Sequence, residues 1–235
     1  MSDPNREEWY AMKRVLEGPI SRRETAAMRE YNEAGGAEIA RALRELGLDI
    51  EDLGDLQRNG LDGTPAVPVL VEWLPRVDYP PLKLAIIFAL GRPWARSAIP
   101  KLIEEFLRID PRTDAGWGSV RATISGALMF RVTAEHLPAV LEIATDASHG
   151  IHRFGFVRAL GRYPKERDRV IPVLAELLAD EDVRIPAIHA LTRLKAVEHL
   201  PAIVEFADSP DPEVRRLVRE AIKRLGVIEP KSTEL

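Results

Sequence analysis

The chain has 235 residues, 46% of them hydrophobic and 30% charged, with no cysteine and a formal net charge of -4. That size and composition allow a substantial core, while the missing thiols exclude disulfides, thiolate metal sites and cysteine nucleophiles. The pI near 5.8 lacks the basic excess by which non-specific nucleic-acid binders displace counterions, and no run approaches the roughly 18–20 uncharged apolar residues of a membrane helix, so a cytoplasmic protein without nucleic-acid or membrane partners is expected.

From the N-terminus, EWYAMKRVLEG reads as a helix closed by Gly18, and charged residues stand where a signal peptide would be apolar. Ser21 with Glu24 forms a capping box for a second helix to about Glu33, and Gly35-Gly36 breaks the chain. GAEIARALRELG predicts a third helix stopped by Gly47, followed by a short turn in DIEDLGDLQ and the linker RNGLDGTP. Residues 1–64 are acidic, net -5, against net +1 for the rest. They read as a helical N-terminal cap, since a stack of repeats needs an end with one polar face. A tail that recognises a basic partner is the alternative.

Five units follow, at 65–97, 98–135, 136–168, 169–198 and 199–226, with a tail at 227–235. AVPVLVEWL, AIPKLIEEFL, HLPAVLEIA, VIPVLAELL and HLPAIVEFA each place a proline after an apolar residue, at Pro68, Pro100, Pro138, Pro172 and Pro201. Proline suits the first turn of a helix, where its missing N–H has no intrahelical partner, so each segment predicts the start of a first helix. Each unit's second helix is marked by an Ala-Leu or Ala-Ile pair at 89–90, 127–128, 159–160, 190–191 and 221–222. Seven residues before the last residue of each pair stands a basic residue: Lys83, Arg121, Arg153, Arg184 and Arg215. Three registers locked in phase mean a repeated helical hairpin. The recurring base is expected to bind turn acids such as Asp180, Asp182, Asp208 and Asp211 rather than a phosphate ladder.

LADEDVRIPAIHALTRL at 178–194 and ADSPDPEVRRLVREAIKRLG at 207–226 resemble HEAT repeats, in particular the short phycobilisome-lyase-type variety. The N-terminal stretch is similar to uncharacterised bacterial HEAT proteins. The resemblance implies an all-α fold, a right-handed α-solenoid (α-α superhelix, armadillo-like) of about five hairpins behind the cap, with the second helices lining a concave face. The function expected is that of a non-enzymatic scaffold or adaptor binding an acidic or amphipathic segment of another protein on its concave face, a reading that rests on the residue stripe given below. Two enzymatic readings stay open: an alkylpurine DNA glycosylase, whose residue types Trp94, Trp117 and Asp114 could supply, and a bilin-lyase-like protein.

Counting from the Ala-Leu and Ala-Ile pairs, the outward stripe of the second helices runs Leu84, Phe88, Arg92; Ala122, Gly126, Phe130; Phe154, Arg158, Arg162; Ile185, His189, Arg193; Arg216, Glu220, Arg224. Phe88, Arg92, Phe130, Phe154, Arg158, Arg162, His189 and Arg193 are the candidate partner-binding residues, because arginine beside phenylalanine suits an acidic, partly apolar ligand. The long connection FLRIDPRTDAGWGSV makes Asp114 and Trp117 loop candidates. Trp73 and Trp94 read as packing residues. The five histidines do not fall at metal-ligand spacing, and no serine-histidine-acid set or phosphate-cradling glycine loop occurs, so neither metal, cofactor nor catalytic residue is expected.

Overall fold

Proline fixes φ near the helical value and asks for no hydrogen bond at its nitrogen, so a first helix should open on it. In the computed structural model, which describes residues 26–58, 60–114 and 119–226, four of the five anchor prolines do so. These are Pro68 in α3 (Val67–Trp73), Pro100 in α5 (Ile99–Arg108), Pro138 in α7 (Leu137–Thr145) and Pro201 in α11 (Leu200–Val204). Pro172 departs from the rule by lying inside α9 (Arg167–Glu176). A 3-10 turn precedes each of the five first helices, and here α9 begins at Arg167, five residues before the proline. The second helices are α4 (Pro80–Leu90), α6 (Val120–Leu128), α8 (Phe154–Leu160), α10 (Arg184–Arg193) and α12 (Pro212–Leu225). Among the described residues every regular element is helical, as the hairpin reading requires.

Ahead of the repeats, α1 (Ala26–Tyr31) runs through a π-type turn, Asn32–Gly36, into α2 (Ala37–Glu45). Gly35 has φ 116°, and a Cβ there would lie 2.5 Å from the Trp73 ring. The glycine pair therefore bends the chain beneath Trp73 rather than ending a helix, and only glycine meets both the conformation and the contact. The expected helix in EWYAMKRVLEG and the Ser21 capping box lie outside the described residues.

The described residues form two units that divide between Arg131 and Val132. In the first, α2 packs on α3, α3 on α4, and α6 on both α4 and α5. Leu82, Ile86, Ile87, Ala89 and Leu90 are buried on α4, which is apolar nearly all round, as a helix covered on most sides must be. Leu84, expected on the outward stripe, is buried as well. In the second unit α8 and α12 both pack on α10, while α7, α9 and α11 pack on α8, α10 and α12 respectively. Each unit is thus a stack of antiparallel hairpins whose second helices contact one another.

The Ala-Leu signature has a mechanical meaning in both units. A Cβ on Gly91, which follows α4, would lie 2.9 Å from Cβ of Ala127 on α6. One on Gly161, which follows α8, would lie 2.8 Å from Cα of Ala190 on α10. The small residue of one second helix is therefore the seat on which the previous one lands. Substituting Gly161→Ala would remove unfolded-state entropy worth about 0.4–1 kcal/mol, but the clash is with backbone that cannot rotate away, and overpacking of this kind costs about 1–3 kcal/mol. The expected net result is a lower urea midpoint. Gly126→Ala is the control, because nothing lies within 4 Å of its Cβ position. On the exposed face of α6 this change should raise stability by up to about 1 kcal/mol.

The recurring basic residue closes each hairpin. Lys83 Nζ donates to the Val77 carbonyl at 2.9 Å and pairs with Glu105 at 2.7 Å, both side chains being buried. Arg121, with no exposed surface, donates from Nε to the Phe106 carbonyl and lies 4.2 Å from the Phe106 ring centre. Arg153 donates to the carbonyls of Gly150 and Ala144 and pairs with Asp180 at 2.6 Å. Arg184 donates to the carbonyls of Leu178 and Ala179 and stacks on Phe206, while Arg215 donates to those of Ser209 and Pro210. The expected turn acids are therefore mostly replaced by backbone carbonyls left open where the first helix ends. Of the acids named, Asp180 alone takes a recurring arginine, Arg153, while Asp211 caps α12 by accepting from the Glu213 N–H.

Candidate functional site

The recurring bases close the hairpins, and the stripe residues of the second helices divide between the two units. In the first unit Phe88 is half-buried on α4, and Phe130, just past α6, is 50% exposed. Arg92 follows α4 and its buried Nε meets no acceptor among the described residues, as is also true of the indole N–H of Trp94. The Trp94 ring lies against Gly63, so close that a Cβ there would be 2.4 Å away. This is the packing role expected for that tryptophan. Asp114 belongs to the start of α6: its two carboxylate oxygens accept from the N–H groups of Val120 and Arg121 at 3.0 and 2.7 Å. Those donors are orphans of the first turn, which Ser119 also caps through Ala122. A ligand for Asp114 would have to displace that cap. Trp117 lies outside the described residues.

In the second unit Arg158, His189 and Arg193 lie near enough to Glu213, Arg216 and Glu220 of α12 for their charges to act on one another. Phe154 and Ile185 stand half-buried near the starts of α8 and α10. Toward the helix ends come Arg158 and His189, half-buried, and Arg162 and Arg193, exposed. From α12 come Glu213, Arg216, Glu220 and Arg224. Arginine in a last helical turn is favoured by the helix dipole by about 0.3–1 kcal/mol, which helps to place Arg158, Arg193 and Arg224 there.

The charges on this face are unequally matched. Arg216 takes Glu213 at 2.6 Å and Glu220 at 3.3 Å, and Arg224 takes Glu220 at 2.7 Å. Both glutamates are so used, while Arg158 and Arg193 have neither an ion pair nor a hydrogen bond among the described residues. Burial, and then the charge of Arg193, hold the Arg158 guanidinium below its ordinary range, with Glu213 and Glu220 opposing them. Burial, and next the charge of Arg158, push the His189 imidazole down, so it is largely neutral at pH 7. The Arg216 hydrogen bonds hold the Glu213 carboxyl low, keeping it charged and occupied. Sequence periodicity picked out Arg158, His189 and Arg193 but missed Glu213. Its signal was its i, i+3 spacing to Arg216, which commits that arginine to its own helix.

Chemically, two unneutralised guanidinium groups and a neutral imidazole are suited to holding an anion. Among the described residues no group of three or more His, Asp or Glu is arranged to bind a metal ion. No helix among them is long and apolar enough to cross a membrane.

A family model described as HEAT repeats matches residues 171–235, which include α10, α11, α12 and the charged face on α10 and α12. No curated protein and no solved structure matches the chain. Repeats of this family are commonly protein-interaction scaffolds.

Proposed function

We propose that this HEAT-repeat helical protein is a non-enzymatic scaffold that binds an acidic or amphipathic segment of another protein on the face formed by α8, α10 and α12. The observation that carries the reading is Arg158: a half-buried arginine with no ion pair or hydrogen bond among the described residues, beside Arg193, likewise without one. A partly desolvated cation is costly unless an anion meets it, and an incoming carboxylate would recover that cost as charge-assisted hydrogen bonds. Phe154 and Ile185 add apolar area for an adjoining side chain, and Arg162 extends the cationic end. Phe88, Arg92 and Phe130 of the first unit are proposed separately as a smaller, more apolar contact.

The test is co-purification with the tagged full chain, comparing wild type with the Arg158→Glu/Arg193→Glu double variant after circular dichroism has shown equal helicity. Truncating one partner of a buried, hydrogen-bonded charge pair costs about 2–5 kcal/mol, and reversal adds repulsion, so recovery of the partner should fall more than about tenfold. Undiminished recovery would remove the assignment to this face.

A further inference from the structure

We propose that the group recognised between Arg158 and Arg193 is a dianion, a phosphorylated serine or threonine side chain of the partner protein. This rests on the binding reading above and narrows the chemistry of the same face. Arg162 lies past the end of α8 and has an interaction of its own; on the three helices themselves, Arg158, Arg193, Arg216 and Arg224 are set against Glu213 and Glu220. Because the two glutamates are held by Arg216 and Arg224, the surplus is two positive charges, located on Arg158 and Arg193.

One carboxylate would neutralise one of these charges and leave the other repelling its neighbour. A phosphate monoester carries about -1.5 to -2 charges at pH 7 and three acceptor oxygens, enough to meet two guanidinium forks and one imidazole N–H. Guanidinium matches phosphate geometry in paired hydrogen bonds better than ammonium does, and this face holds arginine where lysine would supply equal charge. The close landing of Gly161 on Ala190 draws α8 and α10 together, so groups from both helices can serve one ligand.

A nucleic-acid backbone fits less well. It offers one charge per phosphate and calls for a track of cations, whereas the repeated bases Lys83, Arg121, Arg153, Arg184 and Arg215 are spent on backbone carbonyls. Phe154 and Ile185 on the same two helices favour a phosphate attached to a peptide, whose neighbouring side chains they can cover.

The experiment is arginine side-chain NMR on the full chain at pH 7, titrated in turn with phenyl phosphate, phenyl sulfate and benzoate. The two monoanions test charge at similar size. The expected result is a joint, saturable shift of the Arg158 and Arg193 Nε–H signals with phenyl phosphate, at least tenfold tighter than with either monoanion, the Arg193 shift being lost in Arg158→Gln. A short alanine-rich peptide carrying one phosphoserine should bind at the same two arginines, and its serine counterpart should not. Equal affinity for benzoate and phenyl phosphate would overturn the dianion while leaving the acidic-segment reading intact. Shifts spread without saturation over all exposed arginines would mean ordinary counterions and would overturn it too. Binding of a short thymidine oligonucleotide at least as tight as that of the phosphopeptide would replace it with a nucleic-acid site. Loss of the broader reading would be seen separately, as unchanged partner recovery by the Arg158→Glu/Arg193→Glu variant.

Discussion

Replacing Arg153 by methionine should lower the stability of the second unit by about 2–4 kcal/mol, the cost of leaving its buried and half-buried acceptors without their donor. Arg153 is 1% exposed. Its guanidinium serves the Gly150 and Ala144 carbonyls and reaches the Asp180 carboxylate at 2.6 Å. Methionine keeps most of the apolar stem, so lost packing contributes little. The cost comes from two carbonyls and a carboxylate left without their donor. Urea unfolding followed at 222 nm checks the value, and a loss below about 1 kcal/mol would mean that water replaces the guanidinium freely. Asp180→Asn keeps an accepting oxygen and the carbonyl bonds but leaves the Arg153 charge buried without its counter-ion, so its cost should be of similar size.

The second large effect is expected at the Lys83–Glu105 pair. Both side chains are buried, and Glu105 also accepts from Arg108 Nε and Nη2 at 2.9 and 2.6 Å. Glu105→Leu leaves the Lys83 ammonium buried with one carbonyl as partner, at a cost of about 3–5 kcal/mol. Adding Lys83→Met should restore most of that loss, since an apolar pair of similar volume commonly matches a buried ion pair. A double-mutant cycle measures this, and additive losses would show that packing, not charge, sets the cost.

The same pair predicts an acid response. Burial acts to raise the Glu105 carboxyl, but hydrogen bonds from Arg108 and Lys83 and their charges outweigh it and hold the group below its ordinary value. A carboxyl depressed in the folded state contributes stability that is fully present above its unfolded pKa of about 4.3, and this stability is lost as pH falls through the lower folded value. Wild type should therefore lose stability more steeply below about pH 4 than the Lys83→Met/Glu105→Leu variant.

The repeat was legible in the sequence because three independent constraints recur in phase. Proline must sit where its nitrogen needs no partner, alanine must sit where the previous helix lands, and a base must reach the carbonyls of the helix before it. What stayed hidden depended on neighbours that periodicity does not encode. Pro172 looked like a helix start, whereas α9 already begins at Arg167. Leu84 shares the stripe period with Phe88, yet α4 is covered on that side. Asp114 had the composition of a loop site, and its carboxylate instead caps α6. At the charged face, spacing could place Arg158, His189 and Arg193 together. It could not tell which arginines were already neutralised, because that turns on Glu213 and Glu220 of α12 reaching Arg216 and Arg224.

The hairpin closures also bear on how such a chain can change. Because each second helix is fastened by a buried or half-buried base, its outward residues take no part in closing the hairpin. Recognition on this chain is thus free to drift, one solvent-facing position at a time, without unfastening the repeat that displays it.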